Sequence, residues 1–201
     1  MLAERLKDKA GAGLLVLALP RGGVPVAYEV AIALGAELDV LTVRKLGVPG
    51  QRELAMGAIA PGGAQFVDRE IMRSAQVSQA QFNAVLAEEQ AELARRETLY
   101  RGDRAPADVK GKRIILIDDG MATGATLHAA LQALRQREPA RITIALPVAP
   151  VGSERQFDDV AEEFVCIAQP TLFFSVGQHY DLFEQTTDDE VRHLLASASD
   201  R

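Results

Sequence analysis

The stretch "RIILIDDGMATGATLHAAL", residues 113–131, concentrates groups able to do chemistry. An apolar run ends in two adjacent carboxylates, Asp118 and Asp119. Small residues, glycines and threonines follow, from Gly120 to Thr126, and a helical pattern opens among them. Carboxylates accept hydrogen bonds, which suits vicinal sugar hydroxyls or a hydrated Mg2+. Gly120 and Gly124 permit tight turns, and Thr123 and Thr126 offer hydroxyls. The start of a helix brings free amides and a positive end, which bind an anion. Such a site wants a ligand with a diol at one end and a phosphate at the other. Ribose 5-phosphate has that shape. Rival phosphate motifs fail on spacing: a Walker loop needs four residues between its glycines and then Lys with Ser or Thr. Here Gly120 and Gly124 enclose three residues, and Ala125 follows. The pattern G-x-G-x-x-G is absent from both glycine loops.

Two further segments carry chemistry, "LPRGG" at 19–23 and "RK" at 44–45. What must position them is legible in the hydrophobic pattern. "GLLVLALP" (13–20) predicts a buried strand and "VPVAYEVAIALGA" (24–36) a helix with Pro25 in its first turn. "ELDVLTVRK" (37–45) predicts one strand ending in two cations. "ELAMGAIAPGGAQFVD" (53–68) predicts two short strands about a Pro-Gly-Gly turn. Residues 69–100 form a helix-rich insertion, whose strongly charged second part follows Ser78. After the loop 101–111 come strand, loop and helix to about Arg137. "RITIALPVAP" (141–150) and "EEFVCIAQP" (162–170) predict further strands, with a short helix over "GSERQFDDVA" between them. The tail holds an aromatic-rich segment and a last helix that Thr187 or Asp188 could cap. Alternation of strands and helices argues for an α/β fold, a mostly parallel twisted sheet with helices on both faces. Ligands of such sheets sit beyond the carboxyl ends of the strands. All three chemistry-bearing segments fall there.

Composition narrows the class. With 201 residues, 48% of them hydrophobic and 25% charged, the chain reads as one domain over 1–201 with a large core. A net charge of −6 without a Lys/Arg block argues against nucleic acid as a partner. No apolar run approaches the ~20 residues that span a membrane, and the N-terminus lacks an apolar signal core, so a cytoplasmic protein is expected. The single cysteine, Cys166, excludes an intrachain disulfide and reads as a buried structural thiol. The charged helix at 79–100 reads as a solvated amphipathic helix. His128 and His193 read as surface or helix-face residues.

"IILIDDGMATGAT" closely resembles the phosphoribosyl-pyrophosphate (PRPP) signature of type I phosphoribosyltransferases: apolar residues, two acids, three variable residues, then Thr-Gly, a small residue and Thr. The element order from "GLLVLALPRGGVPVA" to "SVGQHYDLF" follows that family, and looks most like its bacterial "predicted phosphoribosyltransferase" group. The resemblance implies the family's fold, with a small hood at about 170–187, and it implies roles. Asp118 and Asp119 would hold the ribose hydroxyls and, mostly through water, Mg2+. Gly120, Ala122, Thr123, Gly124, Ala125 and Thr126 would form the 5-phosphate loop. Arg21, Gly22 and Gly23 would cradle the diphosphate, with a cis or otherwise strained bond between Pro20 and Arg21. Arg44 and Lys45 would neutralise the diphosphate, and Arg52 and Glu53 would close over it from a mobile catalytic loop. Val176 and Tyr180 of the hood would contact the acceptor.

The activity so implied is Mg2+-dependent transfer of ribose 5-phosphate from PRPP to a nitrogen acceptor such as a nucleobase, by a homodimer. The alternative is a regulator that senses PRPP or a nucleotide without turnover; a hydrolase or phosphorylase of ribosyl phosphates is a third. One departure bears on the acceptor. Family members acting on 6-oxopurines carry Asp immediately before Thr-Gly, and here that position is Ala122. Hypoxanthine and guanine are therefore disfavoured.

Overall fold

The computed structural model describes residues 1–102 and 104–199, with Glu53 described by its backbone alone. A short helix α1 (Leu2–Arg5) precedes strand β1 (Leu14–Ala18), helix α2 (Gly23–Leu34) and β2 (Glu37–Val40). Three strands follow, β3 (Arg44–Val48), β4 (Gln51–Ile59) and β5 (Gln65–Val67), and then helices α3 (Arg69–Ser74) and α4 (Gln79–Arg101). The rest alternates: β6 (Arg113–Ile117), α5 (Ala125–Arg135), β7 (Arg141–Val148) and β8 (Glu163–Ala168), closing on α6 (Asp188–Ser199).

The main sheet has five strands in the order β2-β1-β6-β7-β8, and every pairing is parallel. Strand side chains alternate between its faces. Leu15, Leu17 and Leu116 pack on one side with Leu127 and Leu131 of α5. Val16, Ala18, Ile115 and Ile117 pack on the other with Val30 of α2 and Leu195 of α6. Both faces are covered, which is why β1 is apolar at every position.

The strand expected over 37–45 is corrected: the chain leaves the main sheet after Val40. Asp39 marks the break. It is buried, and its carboxylate accepts from Val40 N at 2.8 Å, Ala107 N at 2.8 Å and Arg101 Nε at 3.0 Å. Arg44 and Lys45 instead open a second, antiparallel sheet in the order β3-β4-β5. Arg52 and Glu53, expected on a mobile loop, lie on β4 beside the Pro49-Gly50 turn of a hairpin.

The insertion is built into both sheets. Asp68 caps α3 by accepting from Glu70 N and Ile71 N at 2.9 Å, and Ser78 with Gln81 forms a capping box on α4. Phe82 and Leu93 of α4 pack against Leu46, Val48, Met56 and Ile59 of the antiparallel sheet. Two turns further, Tyr100 enters the core beside α2 and α6, and Arg101 pairs with Asp39. The short helix expected over "GSERQFDDVA" is a single 3-10 turn, Ser153–Gln156, and the segment 170–187 holds one such turn, Gly177–His179. Thr187 caps the last helix by accepting from Glu190 N at 3.2 Å.

The Asp39–Arg101 pair is enclosed, with side chains 10% and 4% exposed. Arg101 also pairs with Glu97 of its own helix, so Asp39→Ala leaves it one carboxylate but takes the acceptor from Arg101 Nε and Ala107 N, and should destabilise the chain by about 1–3 kcal/mol. Urea unfolding checks this; a loss below about 1 kcal/mol, the range of exposed pairs, would show that the pair does not tie α4 to the sheet.

Candidate active site

β1 and β6 are neighbours, with Ala18 opposite Ile117, so the turns that follow them lie side by side. Leu19 N donates to Ile117 O at 2.8 Å, and Gly23 N to Leu19 O at 3.1 Å. The peptide between Pro20 and Arg21 is cis, as the resemblance implies. The turn then runs directly against the two acids. A Cβ on Gly22 would lie 1.8 Å from Asp119 Oδ2, and one on Gly23 would lie 2.7 Å from Ile117 O and 2.8 Å from Asp118 Cα. Gly22 has ordinary helical angles, φ −60° and ψ −30°, so it is glycine for space and not for conformation.

Two helices start at this level, α2 just after Gly22 and α5 just after Gly124, bringing two positive helix ends to the acids. Gly124 has φ 77°, a conformation that favours glycine. In the loop between, Ala122, Thr123 and Thr126 are exposed, Ala125 is half-buried, and Gly120 and Gly124 are buried. Burial first, and then the neighbouring Asp119, pushes the Asp118 carboxyl well above the usual carboxylate range. Burial raises Asp119 as well. Adjacent carboxyls withdrawn from water are costly, and hydroxyl donors or a cation relieve that cost.

A cleft of about 560 Å³ opens beside this turn. Pro20, Arg44, Lys45, Arg52 and Thr126 line it, bringing together residues from all three chemistry-bearing segments. Asp118 and Asp119 do not line it; they pack against Gly22 and Gly23, two residues beyond the Pro20 that does. Arg44 is not open to solvent alone, since its Nε and terminal amine both reach Glu89 Oε2 of α4 at 2.6 Å. Glu88, Glu89 and Arg96 of α4 also line the cleft, and none of them was expected. Val85, Glu89 and Arg96 stand four and seven residues apart on one helical face, and that spacing was their signal. The side chain of Glu53 lies outside the described residues.

The 170–187 segment braces the acid loop. A Cβ on Gly120 would lie 2.7 Å from Val176 Cγ1, and the Tyr180 hydroxyl donates to Asp119 O. The Tyr180 ring tilts against Phe183 at 5.2 Å. His179 stacks on Phe173 at the surface, and half-buried His128 packs on Phe157. Cys166 is half-buried, less enclosed than expected, and burial pushes its thiol up. Among the described residues no cluster of three or more His, Cys, Asp or Glu could cage a metal. Asp118 and Asp119 still fit Mg2+, which takes one or two carboxylates and completes its shell with water and substrate phosphate. Among the described residues no helix is long and apolar enough to cross a membrane.

The contact between Gly22 and Asp119 has a measurable consequence. Gly22→Ala should destabilise the chain by about 1–3 kcal/mol through overpacking. Asp119→Ala should recover part of that loss in the double variant, giving a coupling of at least about 0.5 kcal/mol. Additive losses in a denaturation cycle would show that the two loops do not press on each other.

Comparison with known proteins agrees with the geometry. The model of the family "Phosphoribosyl transferase domain" matches residues 1–181. The chain is 46% identical over 197 residues to "Putative phosphoribosyl transferase Rv0571c" of Mycobacterium tuberculosis, a match over 98% of this chain and 44% of the relative. It thus spans about half the length of the curated relatives it matches. The crystal structure of TT1426 from Thermus thermophilus superposes with a TM-score of 0.87 at 39% identity, over 98% of this chain and 93% of that one. "Bifunctional protein PyrR 1" of Lactiplantibacillus plantarum is 35% identical over 77 residues, covering 33% of this chain and 43% of the relative. The fold is that of type I phosphoribosyltransferases, and the chain belongs to the phosphoribosyl transferase domain family.

Proposed function

We propose that the chain is a Mg2+-dependent phosphoribosyltransferase that moves ribose 5-phosphate from PRPP to a nitrogen acceptor such as a nucleobase, releasing pyrophosphate. The observation that carries this reading is the packing of the Pro20–Gly23 turn directly on Asp118 and Asp119. It joins a place for a sugar diol to a place for a polyanion within a few ångströms.

Each group then has a task. Asp118 and Asp119 accept from the ribose hydroxyls and orient the ring, and orientation is a large part of such a barrier. The loop Gly120–Thr126 holds the 5-phosphate at the start of α5. At C1 of the ribose the bond to the pyrophosphate oxygen breaks, and a bond to the acceptor nitrogen forms. Positive charge grows on the sugar and negative charge on the leaving group. Arg21, the turn at Gly22 and Gly23, Arg44 and Lys45 answer the second charge; one preorganised donor of this kind is worth about 3–4 kcal/mol. Arg52 and Glu53 on the hairpin close over the diphosphate. Asp118 and Asp119 would hold Mg2+, mostly through water, and the ion would supply further charge neutralisation. Val176 and Tyr180 border the acceptor's side while fixing the acid loop.

Replacing both Asp118 and Asp119 by Asn should weaken PRPP binding at least about tenfold, or about 1.4 kcal/mol. Calorimetry with the full chain measures it, and an unchanged affinity would take the sugar away from these acids.

A panel of bases with PRPP and Mg2+, followed by pyrophosphate release, tests turnover. Because Ala122 offers no carboxylate to the base, hypoxanthine and guanine should give no appreciable transfer. A rate with either near the ~10 per second of ordinary enzymes would overturn that exclusion. Tight PRPP binding with no acceptor turned over would favour the sensing regulator instead.

A further inference from the structure

The helical insertion does more than flank the cleft. Val85, Glu88, Glu89 and Arg96 of α4 line it together with Pro20 and Thr126. Among the described residues, four cations, Arg44, Lys45, Arg52 and Arg96, and two carboxylates, Glu88 and Glu89, line it. The chain as a whole carries −6, so the cleft is locally cationic in an acidic protein.

Arg96 is held lightly. Its Nε donates to Glu92 at 2.8 Å, with side chains 31% and 28% exposed. A partly exposed pair of this kind contributes little stability and can yield to a stronger anion. A guanidinium carries five N–H donors, and the bond through Nε engages one.

We propose that Arg96 is an anion-binding residue of the cleft, contributed by the insertion, and that it takes a diphosphate oxygen together with Arg44 and Lys45 of the same cleft. This rests on the phosphoribosyltransferase reading above and adds to it a binding group from outside the signature motif. The charge and planar fork of Arg suit phosphate oxygens.

The test is calorimetry of the full chain with inorganic pyrophosphate and Mg2+. Arg96→Gln should weaken binding at least about tenfold. Arg95→Gln is the control. Arg95 pairs with the same Glu92 at 2.7 Å but is more exposed and does not line the cleft. It should change affinity less than about twofold, as a screened surface charge does. Unchanged affinity in Arg96→Gln, or equal losses in both variants, would overturn the assignment. Should Arg96→Gln fail to fold by circular dichroism, Arg96→Lys is read instead. It keeps the charge and loses the fork, so a loss of about threefold or more supports the contact and wild-type affinity overturns it. Absence of pyrophosphate binding by the wild-type chain would remove this proposal together with the reading of the site. Binding that is intact in the wild type and indifferent to Arg96 would remove this proposal alone.

Discussion

The turn after β1 can press on the acids after β6 only because two of its residues have no side chain. That constraint governs this molecule. β1 and β6 end level with each other, and the turn after β1 lies on the acids after β6 at distances that no Cβ could survive. The two glycines are therefore a packing requirement of the main sheet as much as a feature of the site. Around that contact the rest is arranged: two helix starts, the brace from Tyr180 to the Asp119 carbonyl, and Val176 against Gly120. The carboxyls are withdrawn from water by the same packing that fixes them, which prepares them to prefer a ligand over solvent.

The acid pair, the glycine turn and the five strands of the main sheet were legible because each is a local pattern. An apolar run fully covered on both faces reads as a strand whatever it packs against. The break after Val40 was not legible. Leu41, Thr42 and Val43 all favour strands, so propensity argues for continuing through them. What stops the strand is Asp39, whose carboxylate is claimed by Arg101 and by Ala107 N, both more than sixty residues away. The placement of Arg44 and Lys45 in a second sheet follows from that long-range claim. The strands on either side of the 47–52 turn were not legible for a related reason, since Pro49 and Gly50 signal a turn equally well within a loop or between strands.

The insertion was the least legible part. Its charge suggested a helix lying on water, and much of α4 does so. Yet it carries Phe82 and Leu93 for one core and Tyr100 for another, spaced so that a single rigid helix spans both. Sequence periodicity blurs when one helix changes the partner it packs on along its length. The cleft-facing group of Glu88, Glu89 and Arg96 lies between those two anchors.

The enclosed ion pair at the end of α4 also bears on the cleft. Swinging α4 away from the main sheet would separate Arg101 from Asp39 inside the protein. The helical wall of the cleft is thus tethered at its C-terminal end. The hairpin tip at Pro49-Gly50 is exposed on the cleft's rim. The cleft is bounded by a tied wall on one flank and by a water-facing tip on another.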